Sequence, residues 1–578
     1  MSEYENTVSR KLIVLLHAYT SSPKALHAVR QVVATAYPVA EIWVPALPTN
    51  MWSTADPNAI VSHLLAGIDE RWNESANSER PYGSIVLIGH SIGGLLARKV
   101  YVAACGQNDW APLEPDLVLA GPKPWAAKVE RLILLAGMNR GWSISHHLSI
   151  PTAIIFSLGT VLTILFRLLG GGRLLINQVR LGAPFITQLR LQWLAMRQAA
   201  ARKGIGGALT VQLLGTKDDV VAPQDNIDLI TGSDFVYLDV PASGHQNILE
   251  MSGPGAAAGR RAVFADALII SDAALKARSV ELEDLRPQPP LPEVTDVIFV
   301  IHGIRDEGFW TQKIARHIKE KGRQALPRKV FATETSSYGY FPMLPFILPW
   351  VRRAKVEWLM DQYTQNKALY PNARFSYFGH SNGTYMLAKA LTQYPACHFE
   401  NVVFAGSVVR TDYAWEPLLR QGRVKAVLNY VATADWVVAF CPKTLEMLHW
   451  QDLGSAGHDG FKDGYAQHNG PALIQQAKYV EGRHDAALKE ENWDSIADFI
   501  VSGPSAQQQQ IIPKVLHRNE QVSWISFGSK LPVLLLAAIG LFYLGYCLLH
   551  GLSWTAGEVR VLAFGIYLAV IWKIVTWL

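Results

Sequence analysis

Cysteines and signal-like segments are scarce in this 578-residue sequence. Its four cysteines have no CxxC pair and no other metal-type spacing: Cys105, Cys397, Cys441 and Cys547. This scarcity argues against a disulfide framework or a zinc site, and it suits a reducing, cytosolic environment. The N-terminal segment has acidic residues before its apolar run and no basic region, so it predicts a first strand instead of a signal peptide.

Charge is also scarce. Charged residues make up 17% of the chain, against about a quarter in a typical soluble domain, and hydrophobic residues make up 49%. The net charge of +5 comes from 53 basic and 48 acidic residues. This bias is too weak to indicate a nucleic-acid partner and is compatible with an anionic lipid surface. The balance favours a membrane-attached protein.

The sequence contains a loose internal repeat. KLIVLLHAY at Lys11–Tyr19 corresponds to DVIFVIHGI at Asp296–Ile304, and a GHSxG motif occurs once in each half. The two motif serines are 290 residues apart, so each half has the size of a domain. Short, continuous apolar runs alternate with helical stretches, which predicts a mostly parallel sheet covered by helices in each half.

We therefore expect an α/β fold with two tandem domains and a C-terminal membrane hairpin. Leu531–Leu549 carries no charge over 19 residues, about the length that crosses a bilayer. Basic residues precede this run, so the positive-inside rule places both domains in the cytosol. The expected boundaries are 1–284 for the first domain with an apolar lid-like insertion near 143–200, 285–294 for a Pro-rich linker, 295–503 for the second domain, 504–530 for a connector and 531–578 for two transmembrane helices.

Each GHSxG motif lies between a strand-like run and a helical stretch. This is the context of the G-x-S-x-G nucleophile elbow, in which a sharp strand-to-helix turn presents a serine hydroxyl. The flanking glycines prevent side-chain clashes around the strained turn. The predicted nucleophiles are Ser91 and Ser381, and the helix start after each one offers a backbone N–H to an oxyanion, at Ile92 and Asn382.

In the first half, an acid and then a base should follow the nucleophile along the chain. Asp218 stands just beyond the strand-like run TVQLLG and can orient a histidine, with Asp219 as the alternative. His245 comes after the last strand-like run, in a loop before a helix. We predict it as the general base.

In the second half, Asp435 corresponds to Asp218. Two histidines could serve as its base. His484 follows the last strand-like run, as His245 does, and is favoured; His458 lies earlier, in a Gly-rich stretch, and is the alternative.

A second oxyanion donor should come from the loop after the first strand of each half. The candidates are the backbone N–H groups of Ala18 or Tyr19 and of Gly303 or Ile304. The histidines that precede them, His17 and His302, need not act as bases.

These motifs resemble those of the α/β-hydrolase superfamily. Lys11–Glu250, with HAYTS, GHSIGG, GTKDDVV and a final GH, is similar to lipases of the GPI-inositol deacylase and triacylglycerol lipase type. Asp296–Ile500 resembles the superfamily more distantly, because it has ATADWVV where a glycine is usual and RHD at the histidine. The resemblance implies hydrolysis of an ester or thioester through an acyl-enzyme, without a metal or organic cofactor.

Two apolar insertions indicate contact with lipid. Ile150–Leu175 is placed where hydrolase lids are inserted, and we expect it to be a lid or a membrane-docking element. Phe341–Arg353 is an apolar, Pro-rich loop, and the basic residues at its end suit anionic headgroups. Packing between domains is the alternative role for both segments.

The sequence thus predicts a membrane-anchored lipase or esterase. Thioester hydrolysis or acyl transfer would use the same three side chains, so it stays open. A different kind of function is a membrane-anchored scaffold whose second half binds lipid or protein without turnover.

Overall fold

The computed structural model describes residues 10–108, 110–142, 173–216, 235–280, 289–306, 308–341, 343–447, 449, 451–462, 473–504, 533–551 and 557–577. Most of the predicted lid Ile150–Leu175, both candidate acids Asp218 and Asp219, and linker residues 285–288 lie outside these ranges. The chain divides into two compact units. Unit 1 comprises Met1–Pro289, Met360–Leu369 and Tyr394–Ala396, and unit 2 comprises Pro290–Leu359, Tyr370–Gln393 and Cys397–Leu578.

Strands and helices alternate in unit 1. The strands are β1 Arg10–Leu16, β2 Glu41–Trp43, β3 Tyr82–His90, β4 Val129–Leu135, β5 Leu209–Gly215 and β6 Phe235–Val240. The α-helices are α1 His27–Ala36, α2 Pro57–Ala76, α3 Ile92–Ala104, α4 Leu175–Gln178, α5 Pro184–Lys203, α6 Ala256–Ile269 and α7 Asp272–Ala277. Short 3-10 helices occur at Pro23–Leu26, Pro115–Leu117, Pro124–Lys128 and Asn247–Leu249.

The second half of the chain repeats this alternation. Its strands are β7 Asp296–Ile301, β8 Phe331–Glu334, β9 Arg374–His380, β10 Phe399–Ala405, β11 Val424–Ala432 and β12 Ile474–Val480. Its α-helices are α8 Phe309–Gln324, α9 Met343–Ile347, α10 Pro349–Leu369, α11 Asn382–Gln393, α12 Trp415–Arg420, α13 Trp436–Met447, α14 Trp493–Ser502, α15 Val533–Gly551 and α16 Gly557–Trp577. Two 3-10 helices lie at Ala486–Leu488 and Glu490–Asn492.

The two six-stranded sheets have the same topology. Their orders are β2-β1-β3-β4-β5-β6 and β12-β11-β10-β9-β7-β8, which are one order read from opposite edges. Every strand pair in both sheets is parallel. In each sheet the order reverses between the first and third strands, and open parallel sheets bind ligands at the carboxyl ends of such neighbours. The repeat predicted from the sequence is therefore a repeat of fold.

The central strands are buried on both faces. In β1, Leu12, Val14 and Leu16 join the apolar core on one side of the sheet, whereas Ile13 and Leu15 join the core on the other side. This explains why the strands read as continuous apolar runs without alternation. The predicted buried strands at Leu12–Leu16, Ile85–Ile88, Leu132–Leu135 and Val211–Leu214 all lie within observed strands.

Part of the predicted lid region belongs to the core of unit 1. Helix α5, within the insertion expected near 143–200, packs against α3 and buries Leu189 and Trp193 completely.

In unit 2, Arg352 is also fully buried and pairs with Asp452 at 3.1 Å. Arg352 therefore supports the fold and does not offer a charge to lipid headgroups, which corrects the interpretation for this residue, whereas Arg353 is only half-buried.

The C-terminal segment forms two helices, α15 and α16, which pack against each other. Within the described part of the chain, no helix combines the length and the apolar character that crossing a bilayer requires. The transmembrane hairpin predicted at 531–578, and the multi-pass topology inferred from it, are therefore not supported.

The contact between α3 and the end of β1 predicts opposite effects for two neighbouring glycines. A Cβ atom at Gly93 would overlap the carbonyl oxygen of Leu16, whereas one at Gly94 would lie 3.5 Å from Leu134 Cδ2, an ordinary contact. Gly93→Ala should lower the unfolding temperature and the activity together. Gly94→Ala should be neutral or stabilise the helix by up to about 1 kcal/mol. Thermal unfolding of both variants tests this, and equal stability would contradict the packing described.

Candidate active site

Each GHSxG serine lies at a strained turn between a strand and a helix. Ser91 has φ 54° and Ser381 has φ 52°, in the left-handed region that non-glycine residues seldom adopt. Their N–H groups donate to Leu135 O and Ala405 O, both at 3.0 Å. The neighbouring strand thus holds each turn, and the two serines occupy equivalent positions in the two sheets.

In unit 1, the predicted nucleophile and base are joined. His245 Nε2 lies 2.9 Å from Ser91 Oγ, and both side chains are buried. His245 comes from the loop after β6, at the same carboxyl edge of the sheet as the elbow after β3. When Nε2 is unprotonated, the serine hydroxyl donates to it, which is the geometry that general-base catalysis requires.

In unit 2, the predicted acid and base are joined. His484 Nδ1 donates to Asp435 Oδ2 at 2.8 Å, and the Val438 N–H donates to Asp435 Oδ1 at 3.0 Å. Burial alone would raise the pKa of the fully buried Asp435, but His484 and these hydrogen bonds hold that pKa below its usual value. Burial alone would lower the pKa of His484, but the charge and the hydrogen bond of Asp435 outweigh burial and raise it. Among the described residues, no hydrogen bond joins Ser381 to His484.

The two units therefore display different parts of the predicted triads. Neither Asp218 nor Asp219 is among the described residues, so the acid of unit 1 stays a prediction. In unit 2 the alternative base His458 is fully buried and lies 4.0 Å from Asp459. Asp435 is bonded to His484, the favoured candidate.

The loop after β1 is held by a histidine and a threonine. The Leu47 N–H donates to His17 Nε2 at 3.0 Å, so the hydrogen of the neutral ring is on Nδ1 and is donated to Ala18 O at 3.0 Å. Burial lowers the pKa of His17, although the bond to Ala18 opposes this, so the neutral form is favoured. Thr49 Oγ1 donates to the same carbonyl at 3.1 Å.

In unit 2 a tyrosine takes the place of the threonine. His302 Nδ1 donates to Gly303 O at 2.8 Å, while Ser337 donates to His302 Nε2 at the same distance. Tyr338 stacks on the His302 ring and donates to Gly303 O at 2.7 Å, while Asn382 Nδ2 donates to the tyrosine oxygen at 3.2 Å. Burial lowers the pKa of His302 as well, against the bond to Gly303.

Fixing these two carbonyls also fixes two N–H groups. In a trans peptide the C=O of one residue and the N–H of the next point in opposite directions. The carbonyls of Ala18 and Gly303 point toward the histidine rings, so the N–H groups of Tyr19 and Ile304 point away from them. Of the two candidates in each loop, this orientation favours Tyr19 and Ile304 as donors to a ligand.

Sequence reasoning missed the side chains that hold these loops. Thr49, Ser337 and Tyr338 are about 30 residues or more from the carbonyls or rings that they contact, and no short motif joins them. It also left unused the histidine inside each GHSxG motif, His90 and His380. Its presence in both halves was a signal that could have been followed.

No protein-family model and no curated protein matches this chain. It is similar to solved structures that include phospholipase PlaB from Legionella pneumophila in complex with thio-NAD, at 14% identity over 36% of this chain and 38% of that chain, with a TM-score of 0.24. Bacillus licheniformis lipase BlEst2 in mature form is 16% identical over 36% of this chain and 66% of that chain, with a TM-score of 0.22. Est1E from Butyrivibrio proteoclasticus is 13% identical over 46% of this chain and 91% of that chain, with a TM-score of 0.27. The match thus spans less than half of PlaB, and the resemblance to GPI-inositol deacylases stays a prediction.

The Asp435–His484 pair predicts a pH window for the stability of unit 2. The pKa of His484 lies above 6.5, so its contribution is complete below pH 6.5 and is lost as pH rises through the folded-state pKa. The pKa of Asp435 lies below 3.8, so its contribution is present above pH 3.8 and is lost as pH falls through the folded-state pKa.

Asp435→Asn should therefore lower the unfolding temperature of unit 2 more at about pH 5.5 than at about pH 8.5. The control is Asp494→Asn, which removes the carboxylate of an exposed pair with His317 and should change stability by about 1 kcal/mol or less at either pH. Differential scanning fluorimetry measures both. A loss from Asp435→Asn that is independent of pH would contradict the assigned charges.

Proposed function

We propose that this chain, with an α/β-hydrolase fold in each unit, is a serine hydrolase that cleaves carboxylic esters. The observation that supports this best is the bond between Ser91 and His245 at a strained elbow. A serine hydroxyl is a weak nucleophile until a neighbouring base accepts its proton. Here the base is within hydrogen-bond reach of a hydroxyl at the carboxyl edge of a parallel sheet.

The proposed reaction begins when Ser91 Oγ attacks the ester carbonyl carbon and its proton passes to His245 Nε2. The carbonyl oxygen becomes an oxyanion, which accepts hydrogen bonds from the N–H groups of Ile92 and Tyr19. The C–O bond to the alcohol then breaks, and His245 returns the proton to the leaving oxygen. Water, deprotonated by His245, releases the acid and restores Ser91.

We assign the acid of unit 1 to Asp218. In unit 2, Asp435 comes three residues after Ala432, which pairs with Val480 at the edge of the sheet. In unit 1, Gly215 and Val240 are likewise paired and are the last residues of their strands, although no register shift precedes them as one precedes Ala432. The residue three positions after Gly215 is Asp218, so the distance from the strand end supports Asp218 over Asp219 by analogy with the described acid.

We assign a second site to Ser381, Asp435 and His484, with the N–H groups of Asn382 and Ile304 as oxyanion donors. A Cβ atom built on Gly303 would lie 2.7 Å from Ser381 Cβ, so the oxyanion loop approaches the nucleophile closely. Because Ser381 and His484 are not hydrogen-bonded, this site must tighten when substrate binds. We therefore expect it to react more slowly than Ser91.

The same machinery transfers an acyl group from a thioester or to another alcohol, so thioester hydrolysis and acyl transfer are alternatives within one mechanism. The open Ser381–His484 pair also favours a second candidate, in which unit 2 binds lipid or protein without turnover. Covalent labelling distinguishes these possibilities.

We propose a lipid substrate and binding to a membrane surface through the C-terminal helices. α15 packs against α13, which begins directly after Asp435, so these helices lie on the active-site side of unit 2. They expose large apolar side chains, among them Phe542, Val561 and Leu562, which are 65–80% exposed. Large exposed apolar patches commonly mark a membrane or partner site.

Fluorophosphonate labelling followed by intact-mass analysis tests the proposed function. The wild-type protein should gain two adducts, the first of them at Ser91, and Ser91→Ala and Ser381→Ala should each gain one. Ser91→Ala should lose most hydrolysis of a simple ester, and the slower second site should supply what remains. Ser91→Ala combined with Ser381→Ala should lose several orders of magnitude, because little catalysis survives without a nucleophile. One adduct that disappears only with Ser91→Ala would make unit 2 a non-catalytic module. Failure of the folded wild type to gain any adduct would rule out the hydrolase assignment.

Co-sedimentation with phospholipid vesicles tests the membrane proposal. Phe542→Ser together with Leu562→Ser should weaken binding by about tenfold or more, because burying each apolar side chain contributes about 1.5–3 kcal/mol. The control is Leu326→Ser, which replaces an apolar residue that is 97% exposed elsewhere in unit 2. Equal binding by the double variant and the control would contradict a docking role for these helices.

A further inference from the structure

The histidine inside each GHSxG motif contacts the histidine of the proposed triad. His90 Nε2 lies 2.7 Å from the backbone carbonyl oxygen of His245, and the two rings are 5.5 Å apart. In unit 2, His380 Nε2 lies 3.3 Å from the carbonyl oxygen of His484, with ring centroids 4.8 Å apart. The same contact thus occurs twice, between residues separated by 155 and 104 positions.

The direction of this hydrogen bond is fixed by its acceptor. A carbonyl oxygen only accepts, so Nε2 of His90 and of His380 must carry the hydrogen. His90 and His380 are each the last residue of the strand that leads into the elbow, and both side chains are buried. Burial, followed by the nearby His484, lowers the pKa of His380 to about 4, so its ring is neutral over the ordinary pH range.

The hydrogen bond from His90 holds the backbone of the loop that carries His245. Residues 241–246 form no strand or helix. Ser243 and Gly244 bond to Val240 O and Asn247 Oδ1, both at 2.6 Å, Arg260 Nη2 donates to Ala242 O at 2.5 Å, and Thr216 Oγ1 lies 3.4 Å from the backbone of Ser243. The bond from His90 is made to the backbone of His245 itself. The backbone of His245 is held by His90, while its imidazole is held by Ser91, the next residue along the chain. Two consecutive residues of one turn, His90 and Ser91, therefore hold the backbone and the imidazole ring of His245.

We infer that His90 and His380 are positioning residues that hold the backbone of the triad histidine, and so fix where its Nε2 lies relative to the nucleophile. This inference rests on the proposed function. A displacement of about 1 Å in a catalytic group can cost about a hundredfold in rate, so the bond should affect kcat more than substrate binding. The longer contact in unit 2 should give a smaller effect there.

Substitutions of matched chemistry separate positioning from packing. Glutamine carries its amide nitrogen as many bonds from Cα as histidine Nε2, whereas the asparagine nitrogen matches Nδ1 and falls short of the carbonyl. In the full chain with Ser381→Ala, His90→Gln should keep most of kcat for a short p-nitrophenyl ester. His90→Asn and His90→Leu should lower kcat by about tenfold or more with nearly unchanged KM. His27→Gln replaces an exposed histidine and serves as the control.

In the Ser91→Ala background, the same changes at His380 should lower the activity of the second site in the same order, with a smaller loss. Equal kcat in the Asn, Leu, Gln and wild-type forms at position 90 would overturn the inference, as would an equal loss in all three variants together with lower unfolding temperatures. If His90→Leu does not fold, the Asn and Gln variants still make the comparison. Fluorophosphonate labelling of wild-type Ser91 is measured alongside: its absence refutes the proposed function, whereas its presence with unaffected variants refutes this inference alone.

Discussion

A serine held at a positive φ angle, where a parallel strand becomes a helix, is the constraint on which both sites depend. Such a conformation costs on the order of 1–3 kcal/mol at a non-glycine residue, so the surroundings must impose it. In unit 1 the neighbouring strand binds the Ser91 N–H, and the contact of Gly93 with the end of β1 brings the helix start against the loop that follows β1. The turn thereby places the hydroxyl, the helix N–H groups and the loop after β1 at one edge of the sheet.

The repetition of the fold separates what this arrangement requires from what it tolerates. In both units a neutral histidine donates to the carbonyl of the next residue, and the histidine of the GHSxG motif bonds to the backbone carbonyl of the proposed triad histidine. The hydroxyl group that also binds the carbonyl in the loop after the first strand differs: it is Thr49 in unit 1 and Tyr338 in unit 2. What recurs is therefore the orientation of a peptide unit, which two different hydroxyl groups can fix.

The features predicted from the sequence are those encoded by local pattern. Continuous apolar runs locate the buried strands, and a GHSxG motif between strand and helix locates each elbow. Thr49 and Tyr338 could not be predicted, because their roles depend on contacts between distant segments. Two predictions from local composition did not hold. Arg352 looks like a headgroup ligand, but it is buried beside Asp452. The apolar C-terminus predicts a membrane hairpin, which the described helices do not support. An apolar run reports burial or lipid contact without distinguishing them.

The central claim is that Ser91 forms a covalent acyl-enzyme, and trapping this intermediate tests it most directly. Rapid mixing of the full chain with a p-nitrophenyl ester, acid quenching within the first turnover and peptide mass analysis should find the acyl group on the peptide that contains Ser91. The release of p-nitrophenolate should show a burst of the same stoichiometry if deacylation is slower than acylation. Turnover with no acyl group on that peptide at any quench time would contradict the account.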